Sequence, residues 1–518
     1  MSELGVKFLF EIGCCRRCVL IFLGERTVDK YSHENIINRS IKKIVTQHDL
    51  EDDKIKNGAS EENGDEEDEE EEILSCIADH NAKKQKVNTC ITCLGLLQWG
   101  CSNETVQKMV DVIQLGNYDA VDMSVVVSLP VSITFRVHCV WAHLLKQCPN
   151  FPAVQRVESL TIMKDVWKNL VGPQVSVNTS KKFLTGQNID FALDVKLQYK
   201  DDTKDCSILD TLCGPTFTDR RKMHRKYTDV YTRSSVDYAL KKLSDEDILG
   251  GCPEPPPTPE NPLSFDNMTC QHISFYMAGG LRKVLRSLCL TPYFISKNIK
   301  GRKMAENDKN LALTVHFCKT LDDIKFSSSG REDVDVRCLG NGRPFVIEFL
   351  NPRKIYFSKQ EVADLQKKVN SSSDIVAIRD LQVISKVDTK NLKEGEEEKT
   401  KSYSALCFIR EGYSESQIET LNKQDEIVLQ QKTPLRVLHR RPLAIRPRTV
   451  FKMSAQPINN FFFKINVTTQ AGTYIKEFVH GDLGRTVPNV GSIIGCEVDI
   501  IALDVEKVEL DWPTRIED

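Results

Sequence analysis

The sequence has no apolar run of 18 or more residues, so no membrane-spanning helix is expected. Its start, MSELGVKFLFEIGCCRRC, lacks a basic region followed by an apolar core and a small-residue cleavage site, so no secretory leader is expected. No segment repeats, which argues against a solenoid or an array. Two stretches each lack one sign of charge. Residues 61–72 hold ten acids in twelve positions and no base, and residues 432–448 hold Lys432, Arg436, His439, Arg440, Arg441, Arg446 and Arg448 without one acid or aromatic. Cysteine is not scarce. The 18 cysteines are scattered, several in apolar segments (Cys289, Cys338, Cys407, Cys496), which suits a reducing compartment where thiols are core residues or metal ligands.

A chain of 518 residues should form more than one domain, and 40% hydrophobic residues suffice for ordinary cores. The net charge of −3 hides a basic remainder: without the ten acids of 61–72, 70 basic residues face 63 acidic ones, or +7. So dense an acidic block, within an insertion at about 51–72, is expected to be a disordered, solvated loop. The mildly basic remainder permits an anionic partner.

Six prolines within 253–262 predict a stiff, extended linker and a boundary: an accessory domain over 1–265 and a second domain over 266–518. In the first, Asp122–Phe135 reads as a strand interrupted by Pro130, Arg136–Cys148 as a helix, and Phe191–Tyr199 as a half-buried strand. In the second, Ala405–Ile409 reads as a strand, and Leu435–Met453 as two strands broken at Arg441-Pro442. Phe461, Phe463, Ile465 and Val467 alternate toward one face. Thr473 is the expected N-cap of a helix from Tyr474 to His480, stopped by Gly481. Lys393–Lys401 reads as flexible.

Three local patterns carry chemistry. In SSSGREDVDVRCLGNGRPFVIE, Ser327–Glu348, the acids Asp333 and Asp335 lie between Arg331 and Arg337, before a Gly-rich turn, Leu339–Gly342. A carboxylate flanked by guanidinium groups stays ionised; it suits either a nucleophile or half of a structural ion pair. Lys476 falls in the first turn of its helix, against the helix dipole, and calls for an anionic partner elsewhere. Cys15-x-x-Cys18 and Cys90-x-x-Cys93 could together form one tetrahedral zinc site. The 71 residues between the pairs exceed the usual ribbon spacing of about 15–20, but the acidic insertion lies within them. Accidental spacing and a redox pair are the alternatives, and Cys14 and Cys101 are secondary ligand candidates. The acid-free arginines offer forked donors for phosphates. Tyr403, at the head of a strand after Lys399 and Lys401, can pack or stack on a planar ligand.

Together these pieces resemble the pseudouridine synthases. GREDVDVR resembles the family's GR(T/E)D loop and assigns its catalytic carboxylate to Asp333, leaving Asp335 a structural part. KSYSAL resembles the motif whose tyrosine stacks on the target uracil, giving Tyr403. GTYIKEF resembles GTYIR of the bacterial T-loop synthases, whose basic residue pairs with the catalytic Asp, giving Lys476. With KTPLRVLHRRPLAIRPR and QAGTYIKEFVHGDLGRT, the chain from about Phe326 to Pro513 is similar to the archaeal and eukaryotic THUMP-containing tRNA pseudouridine synthases. Where that family has GRYxKxxR this chain has Gly280-Leu281-Arg282-Lys283-Val284-Leu285-Arg286, and where it has QTPW it has Leu290-Thr291-Pro292-Tyr293. Both departures bear on substrate grip and choice of site rather than on chemistry.

The resemblance implies an α+β protein: a catalytic domain with a mixed, mainly antiparallel sheet, and an N-terminal α/β, THUMP-like accessory domain with structural zinc on Cys15, Cys18, Cys90 and Cys93. It implies an isomerase acting on T-loop uridines 54 and/or 55 of tRNA without a catalytic cofactor. The target nucleotide would be extruded and held by Tyr403. Asp333 would break the glycosidic bond, Lys476 would position Asp333, and Arg331, Arg440 and Arg441 would contact RNA. A monomer in the nucleus and/or cytoplasm, off the membrane, is expected. The alternative function is a non-catalytic RNA-binding adaptor, for example on primary microRNA.

Overall fold

The computed structural model describes residues 2–56, 88–151, 156–186, 189–223, 225, 229–286, 323–372, 374–392, 399–510 and 512–516. The acidic residues 61–72, the segment Leu290–Tyr293, Cys289 and residues 393–398 lie outside these. The chain divides into two compact units, Met1–Gln271 and His272–Asp518. No helix among the described residues is long and apolar enough to cross a membrane.

The first unit is a helical body with one four-stranded sheet: β1 (Asp122–Ser128), β2 (Lys182–Phe183), β3 (Phe191–Gln198) and β4 (Ser264–His272), in the order β2-β1-β3-β4. β1 pairs in parallel with both β2 and β3. Parallel pairs need crossovers, and the helices Val131–Gln147 and Arg156–Thr179 fill the connection from β1 to β2. The strand expected through Phe135 therefore ends at Ser128. Pro130 (φ −56°) starts the helix instead of interrupting a strand, and the Asp202 carboxylate accepts from the Ser132 N–H at 2.8 Å, satisfying a first-turn amide. The proline-rich segment 253–262 has no regular structure, but it lies inside the first unit and is not a free linker between the two. Buried Arg136 donates to the Pro257 carbonyl (2.9 Å) and to Ile91 (3.1 Å), and the Leu263 N–H donates to Leu94 (3.0 Å).

The second unit is built on a ten-stranded sheet. Its strands are β5 (Phe275–Lys283), β6 (Asp323–Ser328), β7 (Arg337–Leu350), β8 (Val376–Ile384), β9 (Lys401–Phe408), β10 (Ile427–Lys432), β11 (Ile445–Pro457), β12 (Phe462–Thr469), β13 (Thr486–Val487) and β14 (Asp499–Val508). The order is β13-β10-β11-β12-β9-β14-β7-β5-β8, with β6 also paired to β7. Every pair is antiparallel except β7–β14.

Alternation on β12 buries Phe463, Ile465 and Val467. The expected strand from Leu435 is absent. Pro434 (φ −57°) opens a single 3₁₀ turn, Leu435–Val437, and regular pairing resumes only at Ile445. Thr473 does not cap the helix Ile475–His480: its hydroxyl donates to the Gln470 carbonyl, and Tyr474 holds the cap position. Gly481 (φ +77°) ends that helix. Leu339–Gly342 is no turn but an irregular part of β7. A Cβ at Gly340 would lie 2.1 Å from the Glu506 carbonyl of β14, and one at Gly342 would lie 2.7 Å from the Leu281 backbone of β5. These glycines admit the backbone of neighbouring protein strands.

Candidate active site

Five segments of the second unit converge on one cleft of about 560 Å³: loop 331–336 between β6 and β7, the head of β9, loop 433–444 between β10 and β11, residues 472–476, and β14 at Leu503 and Val505. Asp333, Tyr403, Lys476, Arg331, Arg440 and Arg441 all line it, and Arg436 and Arg343 join them.

The Asp333 carboxylate is one-third exposed. Its Oδ2 accepts from Arg436 Nη1 at 2.6 Å, while Lys476 Nζ stands 3.6 Å away. Lys476 makes its shorter contacts to Asp335, at 2.7 and 2.8 Å. Thus the anion required by a first-turn lysine is chiefly Asp335. Burial pushes the Asp335 carboxyl upward, but the Lys476 ammonium outweighs it and holds it below the usual carboxylate range.

Arg436 bridges two acids. Its Nε donates to Oε1 of Glu477 at 2.7 Å, and the Glu477 side chain is only 2% exposed. Burial alone would lower the Arg436 pKa; Glu477 raises it. The helix Ile475–His480 thus sends Lys476 to the loop acids while Glu477 anchors the arginine from below.

Tyr403 sits on β9 between Val467 of β12 and Val505 of β14, half-buried against the apolar cluster beneath the sheet. Burial pushes its phenol up to about 12, opposed by the Arg343 guanidinium. Under the loop, Arg343 and Glu332 form an ion pair at 2.8 Å with both side chains 6% exposed, and Arg343 Nη1 also donates to Ser329 O at 2.7 Å. Arg337, expected to flank Asp333, instead turns to Asp504 of β14. Arg436, Glu477, Glu332, Arg343 and Asp504 are missed as partners in the sequence. The available signal was the excess of acids in GREDVD and IKE over the cations assigned to them.

In the first unit, the sulfurs of Cys15, Cys18, Cys90 and Cys93 all lie within 4.8 Å of one another, with Cys15 and Cys93 3.9 Å apart. Thiolates bound to one tetrahedral metal at about 2.3 Å stand roughly 3.8 Å apart, so the four residues fit such an ion. Cys18, Cys90 and Cys93 are fully buried, and the Cys15 N–H donates to Cys90 Sγ at 3.2 Å, a contact that steadies a thiolate ligand. Cys14 bonds Thr92 and also reaches Cys90, and Cys101 bonds the Leu96 carbonyl; neither is among the four mutually close sulfurs.

The second unit corresponds to a known family description, "Pus10, C-terminal", over residues 276–509, and the first to "Eukaryotic Pus10, N-terminal" over 90–270. The tRNA pseudouridine synthase Pus10 of Homo sapiens is 34% identical over 99% of this chain and 98% of its own length. That of Xenopus laevis is 36% identical with the same coverages. That of Pyrococcus furiosus is 33% identical over 45% of this chain and 57% of its own length. With end-to-end identity above 30% and both units matched, this chain belongs to the Pus10 family.

Proposed function

We propose that the chain is a tRNA pseudouridine synthase that isomerises uridine at position 54, position 55 or both in the T loop. One observation carries the chemistry: Asp333, held by Arg436 and Lys476, shares a cleft with Tyr403. At about 560 Å³ the cleft falls within the roughly 300–1,000 Å³ typical of small-ligand pockets. A base paired or stacked in the folded loop must be extruded to reach it, and the Tyr403 ring offers a stacking surface. Asp333 acts on the ribose beside the glycosidic bond, as nucleophile or as base. The C1′–N1 bond breaks, the uracil turns while retained, and a C1′–C5 bond forms as the C5 proton leaves and N1 is protonated. The isomerisation balances without an oxidant or a cofactor.

Arg331, Arg440 and Arg441, exposed along the cleft, suit RNA phosphates. Structural zinc on the four-cysteine cluster would fasten the accessory unit, which we read as THUMP-like. Asp333→Asn should keep tRNA binding and abolish pseudouridine formation; full turnover by that variant sinks the assignment. A non-catalytic adaptor on tRNA or primary microRNA is the reading left if the wild-type chain binds RNA and forms no pseudouridine.

A further inference from the structure

Six residues, 331–336, carry Asp333 into the cleft without belonging to a strand or a helix. Their carbonyls have no ladder partners, and the loop's own bond is Val336 N–H to Asp333 O at 3.1 Å. Two cations from the end of β5 supply what the loop lacks. Lys283, 1% exposed, donates to Val334 O at 2.7 Å and to Asp333 O at 3.1 Å. Arg286 Nη1 donates to Asp335 O at 3.0 Å and to Leu503 O of β14 at 2.6 Å, and its Nη2 reaches Asp504 at 2.6 Å. Three successive carbonyls of the loop are therefore held by charged donors.

We infer that Lys283 and Arg286 are positioning residues for the isomerisation, clasping the Asp333 loop from beneath; this rests on the function proposed above. A lysine so deeply buried is costly to desolvate, and charge-assisted bonds to carbonyls are stronger than neutral ones. The contacts fall on backbone atoms, so they fix where the Asp333 side chain starts. A carboxylate that must meet the sugar within a few tenths of an ångström depends on that placement. Lys283 and Arg286 have the K-x-x-R spacing of GRYxKxxR, so the clasp rests on what this segment shares with that pattern and not on its departures from it. Lys283 is anchored in β5 by pairing with Cys338 of β7 and Val376 of β8, so the clasp is built on the sheet.

The test compares the full chain with Lys283→Met and Lys283→Arg in steady-state pseudouridine formation on tRNA, with hydrogen exchange across 331–336. The Met variant should lose at least about tenfold in kcat per folded molecule, with KM for tRNA within about twofold. The Arg variant should recover part of the rate, and exchange at Val336 should quicken in the Met variant. A merely structural lysine would lower the melting temperature and leave kcat of the folded fraction intact; that result, or unchanged exchange, overturns the inference. If Lys283→Met fails to fold, Arg286→Gln is read by the same criteria, since its side chain is about one-third exposed. Absence of pseudouridine from the wild-type reaction would refute the proposed function, and the exchange measurement would still decide whether the clasp exists.

Discussion

Arg436→Gln is the most informative single substitution, because one guanidinium serves two acids of different burial. Toward Asp333 it gives up a charge-assisted bond at 2.6 Å; such bonds contribute about 1.5–3 kcal/mol. Arg436 is 37% exposed, and water takes up part of the loss, so the lower end, about 1.5–2 kcal/mol, applies. At 1.36 kcal/mol per decade this is roughly a 10- to 30-fold fall in kcat. Toward Glu477, only 2% exposed, the change strands a buried charge. Breaking a fully buried pair costs about 3–5 kcal/mol, and with an outer partner reached by water about 2 kcal/mol of stability should go. Glu477→Gln added to Arg436→Gln should restore the stability and leave the rate low. The rate is read as release of tritium from tRNA labelled at uridine C5, since the new bond forms there, and stability by urea unfolding. A single variant that turns over within threefold of the wild type, or a double variant that regains the rate, refutes the bridging role.

Three further outcomes follow from the same geometry. Glu332→Gln leaves Arg343 unpaired at 6% exposure and should cost about 3–5 kcal/mol in urea unfolding; a loss under about 1 kcal/mol contradicts the buried pair. The Tyr403 phenol is raised to about 12 from about 10, so its neutral form stabilises the fold below pH ~10, and that stabilisation is lost as pH rises toward 12. Stability of the wild type should therefore fall relative to Tyr403→Phe between those values, and parallel curves would contradict the burial of Tyr403. Elemental analysis should find about one zinc per chain, retained in Cys14→Ala and lost in Cys93→Ala; equal loss from both would show that the cluster is not the ligand set.

Much of the cleft's lining was legible because its parts are local. Asp333, Tyr403 and Lys476 each stand in a short segment whose residue order is itself the signal, and the CxxC pairs fix two sulfurs apiece within one turn. Partner choice was not legible. Lys476 and Asp335 lie 141 positions apart, and Arg436 and Asp333 lie 103 apart; a charge in a sequence does not say which opposite charge will face it. Arg337 shows the same limit: adjacent in sequence to the acids, it crosses from β7 to Asp504 of β14. The misread elements also have local causes. Pro130 and Pro434 fit a helix start as well as a strand break, and only neighbours such as Asp202, waiting for the Ser132 amide, settle the matter.

The sequence by itself determined the segments that line the cleft, the two cysteine pairs, the alternation that buries Phe463, Ile465 and Val467, and the excess of acid on the loop that carries Asp333. The tertiary structure alone decided that five distant segments share one cleft, that Arg436 rather than Lys476 is nearest to Asp333, and that the end of β5 supports the loop from below. The physical reason is range. Propensity, capping and periodicity act over a few residues, whereas ion pairing and carbonyl satisfaction depend on which strands the sheet sets side by side.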